Sequence, residues 1–523
     1  MITKISAGAL TSARVTVLMA FAVFVASVGN AGAATCESLG ALSLPNATIT
    51  AAQQVQAGAF TPPGQAGASG PAATVFTRLP AFCRVTATLT PSSDSDIRIE
   101  VWLPASGWNG KFQAVGNGGW NGSIPYPALA NALVAGYATA GTDTGHVGNT
   151  AAFALGHPEK LIDFGYRAVH EMTVKAKSIL VAFYESIPTL SIWNGCSQGG
   201  RQGVTAAVRY PEDFDGVVAG APGVNFVQLH AGRVALNRSV NASPAGVIPA
   251  AKYPLIHKAV LAACDAKDGV ADGVIENPGA CSFDPKVLQC SGQENATCLS
   301  AAQVRSAARM YAGAAHPATK MPVLPGLAPG AELGWNVIGN TQPIGLAVDA
   351  FKYVFMKDRA WDASRFNAGI DIDVALASDP DDALGSTNAD LRPFFARGGK
   401  LLMYHGWSDP QITPYNTINF FHKVLATQGG AGVGTSMQLY MVPGMNHCSG
   451  GPGTDVFDKV AALEEWIKTG FAPARIQAAH MTNGVVDRTR PLCPLGQVAR
   501  WSGTGSTNDA ANFACVAATV GGN

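Results

Sequence analysis

The pentapeptide Gly195-Cys196-Ser197-Gln198-Gly199 has the form G-x-S-x-G. That spacing lets a serine occupy a sharp strand-to-helix corner, because its neighbours two residues away are small. The corner exposes the hydroxyl as a nucleophile, and the first N–H groups of the following helix favour developing negative charge. A serine needs a base, and the base needs a partner that fixes its tautomer. Taken in the order Ser, acid, His, the acid is Asp409, in Tyr404-His405-Gly406-Trp407-Ser408-Asp409-Pro410. The base is His447, in Val442-Pro443-Gly444-Met445-Asn446-His447-Cys448. His405 competes for the role of base but precedes the acid, and reads instead as a packed or hydrogen-bonded residue. Acyl transfer also needs two N–H donors at the tetrahedral oxygen. Gln198, next after the nucleophile, supplies one; the run Gly116-Asn117-Gly118-Gly119-Trp120-Asn121-Gly122 supplies the other, from Gly119 or its near rival Gly118.

Ten cysteines occur: Cys36, Cys83, Cys196, Cys264, Cys281, Cys290, Cys298, Cys448, Cys493 and Cys515. Their even number in an exported chain argues for disulfides, and no spacing among them makes a zinc ligand set. Spacing alone does not fix the connectivity, although Cys264/Cys281, Cys290/Cys298 and Cys493/Cys515 are close enough to staple local loops. Cys196 precedes the expected nucleophile and Cys448 follows the expected base. A bond between them requires Cα atoms within about 7 Å, close to what a serine–histidine hydrogen bond requires. The alternative is that each cysteine staples the fold to another partner.

A second constellation lies in Cys264-Asp265-Ala266-Lys267-Asp268-Gly269-Val270-Ala271-Asp272-Gly273-Val274. Calcium takes carboxylate and carbonyl oxygens from a tightly curved loop. Asp265, Asp268 and Asp272 offer side chains, and Val270 and Val274 offer carbonyls. The spacing is not that of an EF-hand; calcium is nevertheless the reading the spacing favours, with a solvated acidic turn as the alternative. Such an ion would be structural, away from the chemistry.

These residues need a scaffold. Strand-like segments run over Ile97 to Leu103, Phe112 to Val115, Tyr137 to Ala140, Leu190 to Trp193, Gly216 to Ala219, Lys400 to Tyr404 and Met437 to Val442. Helical spacing occurs over Leu161 to Phe183, Gln202 to Arg209 and Phe457 to Lys468. The alternation implies an α/β fold, with a mostly parallel sheet carrying helices on both faces. Residues 51–73, rich in Gly, Ala and Pro, read as a surface loop. From Asn225 to Asp390 the rhythm fails, which marks an insertion. The expected organisation is therefore a signal over 1–33, a catalytic domain over 34–224 and 391–523, and an inserted lid over 225–390.

The signal is read from Lys4 and Arg14, the apolar stretch Val15 to Val28, and Ala31-Gly32-Ala33, with cleavage near Ala33 or Ala34. No second stretch suits a membrane span. The chain of 523 residues carries Lys+Arg 35 against Asp+Glu 35. That balance, with no Lys/Arg run, argues against a nucleic-acid partner. A secreted serine peptidase would share the triad, but nothing here suits an extended peptide. A non-catalytic calcium-dependent binding protein would need no triad.

With its Cys-Ser and His-Cys dipeptides beside the expected nucleophile and base, and its aspartate loop, the chain resembles the tannase and feruloyl esterase family from about Cys36 to Cys515. The resemblance implies an α/β-hydrolase that cleaves esters of aromatic acids, feruloyl and other hydroxycinnamoyl or galloyl, with terephthalate monoesters as the alternative. It implies the pairs Cys36–Cys83, Cys196–Cys448, Cys264–Cys281, Cys290–Cys298 and Cys493–Cys515. It also implies calcium on Asp265, Asp268, Val270, Asp272 and Val274, and a lid over the acyl pocket. Arg359, Arg365 and Arg392 are available to bind a terephthalate carboxylate, with nothing in the sequence to choose among them.

Overall fold

The computed structural model describes residue 1 and residues 35–63, 71–429 and 433–518. Apart from Met1, the expected signal over 1–33 lies outside the described residues. The strands are β1 (Ala47–Val55), β2 (Phe82–Leu89), β3 (Ile97–Pro104), β4 (Lys111–Val115), β5 (Ala138–Thr142), β6 (Leu190–Cys196) and β7 (Gly216–Gly220). They continue with β8 (Ala314–Ala315), β9 (Pro322–Leu324), β10 (Lys400–Gly406), β11 (Met437–Val442), β12 (Ile476–Thr482), β13 (Val485–Leu492), β14 (Gln497–Trp501) and β15 (Phe513–Ala517). Nine of them form one sheet in the order β1-β2-β3-β5-β4-β6-β7-β10-β11. From β5 to β11 all neighbours are parallel, and β1, β2, β3 and β5 are joined antiparallel.

Period-two side-chain alternation divides the strands between two cores. Val217 and Ala219 of β7 pack with Met172, Ile179 and Phe420 in one. Val218 packs with Leu402, Tyr404, Leu463 and Trp466 in the other. Helices Ala168–Tyr184 and Pro414–Thr427 cover the first face, and helix Lys459–Thr469 covers the second. Every residue of β7 is buried, as suits a central parallel strand covered on both sides.

The structure corrects one expectation: Ala51 to Val55, read as surface loop, belongs to β1 and pairs with β2 from Thr86 to Phe82. Strand β1 is half exposed and carries Ala, Thr and Gln. Its ladder to β2, rather than apolar alternation, keeps it extended. Residues 225–390 give no strand to the nine-stranded sheet; β8 and β9 pair only with each other. That stretch is more helical than its irregular pattern implied, with helices Phe226–Val240, Tyr253–Cys264 and Ala301–Ala312. Disulfides join Cys36–Cys83, Cys196–Cys448, Cys264–Cys281, Cys290–Cys298 and Cys493–Cys515.

Candidate active site

Strand β6 ends at Cys196, and the helix Gln198–Arg209 begins one residue after Ser197. Ser197 itself has φ 63° and ψ −121°, a conformation that non-glycine residues rarely adopt. Three bonds hold it there: its N–H donates to Gly220 O at 2.9 Å, and its carbonyl accepts from Arg201 N at 3.0 Å and Gly223 N at 3.1 Å. The corner closes only with small neighbours. A Cβ on Gly195 would stand 2.4 Å from Gly199 O, and one on Gly116 would stand 2.5 Å from Gly199 Cα. The elbow and the Gly-rich loop after β4 therefore touch backbone to backbone.

The Ser197 hydroxyl lies 2.8 Å from His447 Nε2, and His447 Nδ1 lies 2.6 Å from Asp409 Oδ2. Asp409 is fully buried. Its Oδ1 accepts the N–H groups of Gln411 at 2.7 Å and Ile412 at 3.0 Å. Burial opposes its charge, but His447 and His405 outweigh burial and hold the carboxyl well below the usual carboxylate range. His405 is not in the position of a base. It lies fully buried behind Asp409, with Nε2 3.1 Å from the same Oδ2. The Cys196–Cys448 bond spans 6.1 Å between Cα atoms, tying the residue before Ser197 to the residue after His447.

Ser197, Gln198 and Gly119 line one cavity. Gly119 has φ 49°, and a Cβ there would meet Leu346 Cδ2 at 3.0 Å. Gly118 is not in the lining. The Gln198 carboxamide is anchored by Arg201 Nε at 2.9 Å, from a guanidinium that is itself fully buried. Trp120, Phe226, Leu229, Leu346 and Ile412 supply apolar walls. Phe226, Leu229, His230 and Arg233 follow one another at helical spacing on the helix Phe226–Val240, so one stripe of that helix faces the serine.

Sequence reasoning missed His230 and Arg233. The guanidinium of Arg233 donates through Nε and Nη2 to Gln411 O, at 3.0 and 2.5 Å. Burial brings it down to about 10, and burial also holds His230 well below the ordinary imidazole value. The apolar spacing Phe226, Leu229 was the available signal, hidden inside a stretch read as irregular. By contrast Arg359, Arg365 and Arg392 are exposed and line no part of this cavity. Arg392 pairs with Asp390 at 2.6 Å.

Asp268, Val270, Asp272 and Val274 line a separate small cavity. Glu276, which sequence reasoning did not single out, lines it too, and burial pushes its carboxyl up to about 8. Asp265 instead turns to the loop itself, accepting the N–H groups of Asp272 at 3.3 Å and Gly273 at 2.9 Å. Asp272 Oδ2 accepts from Arg488 and Arg490. Among the described residues no group of three His, Cys, Asp or Glu side chains is gathered as a metal site. The donor chemistry of the cavity nevertheless fits calcium, which draws on carbonyl as well as carboxylate oxygens.

The family model for tannase and feruloyl esterase matches residues 83–516. The chain belongs to that family. An uncharacterised esterase of Xanthomonas campestris pv. campestris is 40% identical, over 92% of this chain and 91% of its own length. The mono(2-hydroxyethyl) terephthalate hydrolase of Piscinibacter sakaiensis is 34% identical, over 93% of this chain and 92% of its own. The crystal structure of feruloyl esterase B from Aspergillus oryzae superposes with a TM-score of 0.85 at 30% identity, covering 92% of this chain and 99% of that one. Like these tannase and feruloyl esterase relatives, the chain is a carboxylic ester hydrolase with an α/β-hydrolase fold. The span matched to the family holds Ser197, Asp409 and His447 together.

Proposed function

We propose that this chain is a secreted serine esterase that hydrolyses esters of aromatic acids, feruloyl, other hydroxycinnamoyl or galloyl, through an acyl-enzyme. The observation that carries the reading is the unbroken line Ser197 Oγ, His447, Asp409, with contacts of 2.8 and 2.6 Å. His447 takes the hydroxyl proton as Oγ attacks the ester carbonyl. The N–H groups of Gln198 and Gly119 receive the oxyanion, each such donor contributing about 3–4 kcal/mol. The tetrahedral intermediate collapses as His447 passes its proton to the leaving alcohol. Water, deprotonated by the same imidazole, then releases the acid and restores Ser197. Asp409 holds the tautomer and stabilises the imidazolium throughout.

Residues 225–390 act as a lid in this reading, since Phe226, Leu229 and Leu346 wall the cavity from that segment. Asp268, Val270, Asp272 and Val274, with Asp265 bracing the loop, would hold a calcium ion that stiffens the fold. Calcium in excess over its dissociation constant by about 100-fold would add about 2.7 kcal/mol of stability, and EDTA should lower the melting temperature accordingly. Five disulfides favour an oxidising compartment, and among the described residues no helix is long and apolar enough to cross a membrane.

A terephthalate monoester is the second reading. It is favoured by Arg233, a buried cation in the cavity wall with no carboxylate in ion-pair contact among the described residues, and by the named activity of the Piscinibacter relative. Methyl ferulate, a gallate ester and mono(2-hydroxyethyl) terephthalate, assayed side by side on the wild type and on Ser197→Ala, test both readings. The variant should fold and be inert. Turnover at the wild-type rate would remove Ser197 from the chemistry.

A further inference from the structure

The oxygen of Asp409 that orients the base is not reserved for it. Oδ2 accepts from His447 Nδ1 at 2.6 Å and from His405 Nε2 at 3.1 Å. His405 stands on β10, fully buried, and its ring is fixed at both ends. Nε2 also donates to Ile412 O at 2.9 Å, and Nδ1 meets Thr417 Oγ1 at 2.8 Å, on the helix Pro414–Thr427. Ile412 in turn donates its N–H to Asp409 Oδ1. His405 thus grips both the carboxylate and the loop that carries it. Arg233, on the helix Phe226–Val240, also acts on the carboxylate, without direct contact.

We propose that His405 is a positioning residue that tunes the basicity of His447 by sharing Asp409 Oδ2. A carboxylate oxygen that accepts a second N–H has less affinity left for the proton of the first donor. The imidazolium of His447 is then stabilised less than it would be by an undivided Asp409. The base therefore stays neutral, and the enzyme active, to lower pH. This deepens the esterase reading and rests on it.

The test compares two polar replacements of similar size. His405→Gln sets an amide N–H where Nε2–H stands, whereas His405→Asn reaches only the Nδ1 position beside Thr417. With His405→Asn the acid limb of kcat/KM should move up by about 0.5–1 pH unit, with kcat reduced and KM little changed. With His405→Gln the limb should return to within about 0.2 unit of wild type. Coincident profiles for the two folded variants would overturn the proposal, because a purely packing role moves stability and not the limb. A wild-type measurement guards against misfolding: in 15N-histidine-labelled protein the His405 Nε2–H resonance should shift with the midpoint of the His447 titration. A resonance indifferent to that titration would also overturn it. Because the His405 resonance is measured without turnover, it stays separate from the Ser197→Ala result, which alone decides the esterase mechanism.

Discussion

Replacing both cysteines of the bridge beside the triad, as Cys196→Ala with Cys448→Ala, should damage stability and catalysis by separable amounts. The bridge closes a loop with a sequence separation of 252. The chain-entropy relation gives about 5.5 kcal/mol for that length at 25 °C, slightly above the roughly 5 kcal/mol that bounds native bridges. An unfolding entropy of about 1 kcal/mol per kelvin for a chain of this size turns that loss into a fall in Tm of about 5 °C. At 25 °C the variant therefore stays folded, and stability alone would leave turnover untouched. The bridge, however, joins the neighbours of Ser197 and His447, whose contact is 2.8 Å. A displacement of about 1 Å there should reduce kcat by about 10²-fold. The control is Cys290→Ala with Cys298→Ala, a separation of 8 that lines no part of the Ser197 cavity. It should lose about 2.5 kcal/mol by the same relation and keep its kcat. Scanning calorimetry gives the Tm values, and initial rates on methyl ferulate at 25 °C give kcat. A triad-bridge variant with lowered Tm and wild-type kcat would refute the positioning argument.

Asp409→Asn should lower kcat by about 10⁴-fold while leaving the fold intact, because the imidazole loses its tautomer and its countercharge; stopped-flow rates check this. Gly119→Ala puts a methyl 3.0 Å from Leu346 Cδ2 at φ 49°. The left-handed backbone alone costs about 1–2 kcal/mol, and any turning of the N–H away from the oxyanion should reduce kcat by about 10²-fold. Asp143 gives a pH prediction: burial pushes its carboxyl up to about 7 against the two backbone N–H groups on its Oδ1. The folded chain then holds a proton between about pH 4 and 7 that the unfolded chain has released, so stability falls as pH rises through that window. Asp143→Asn keeps the Oδ1 acceptor without the charge. Its Tm should exceed wild type at pH 8 and match it near pH 4, and an equal difference at both would refute the assignment.

The elbow was legible because its requirements are local. Gly195 admits no Cβ, Gly199 admits one only if the facing backbone gives way, and a strand must lead into them. Asp409 and His447 could be found by chain order, since each follows a strand of the sheet. Strand β1 was not legible: Ala and Gln carry no apolar alternation, and its pairing with β2 is information held by another segment. Arg233 escaped for a different reason. Its place in the cavity wall depends on how the helix Phe226–Val240 docks, which spacing along one helix cannot give. His405 reads from sequence only as a packed or hydrogen-bonded residue, and that it shares an oxygen with His447 is a fact of three dimensions.

The peptide group between Gln411 and Ile412 has its N–H on the Asp409 carboxylate and its carbonyl on Arg233 of the segment 225–390. The segment that walls the Ser197 cavity and the carboxylate beside His447 are therefore joined through one amide plane. Reshaping that wall to admit a different acyl group should therefore also move the carboxylate, coupling ester choice to rate in the proposed mechanism.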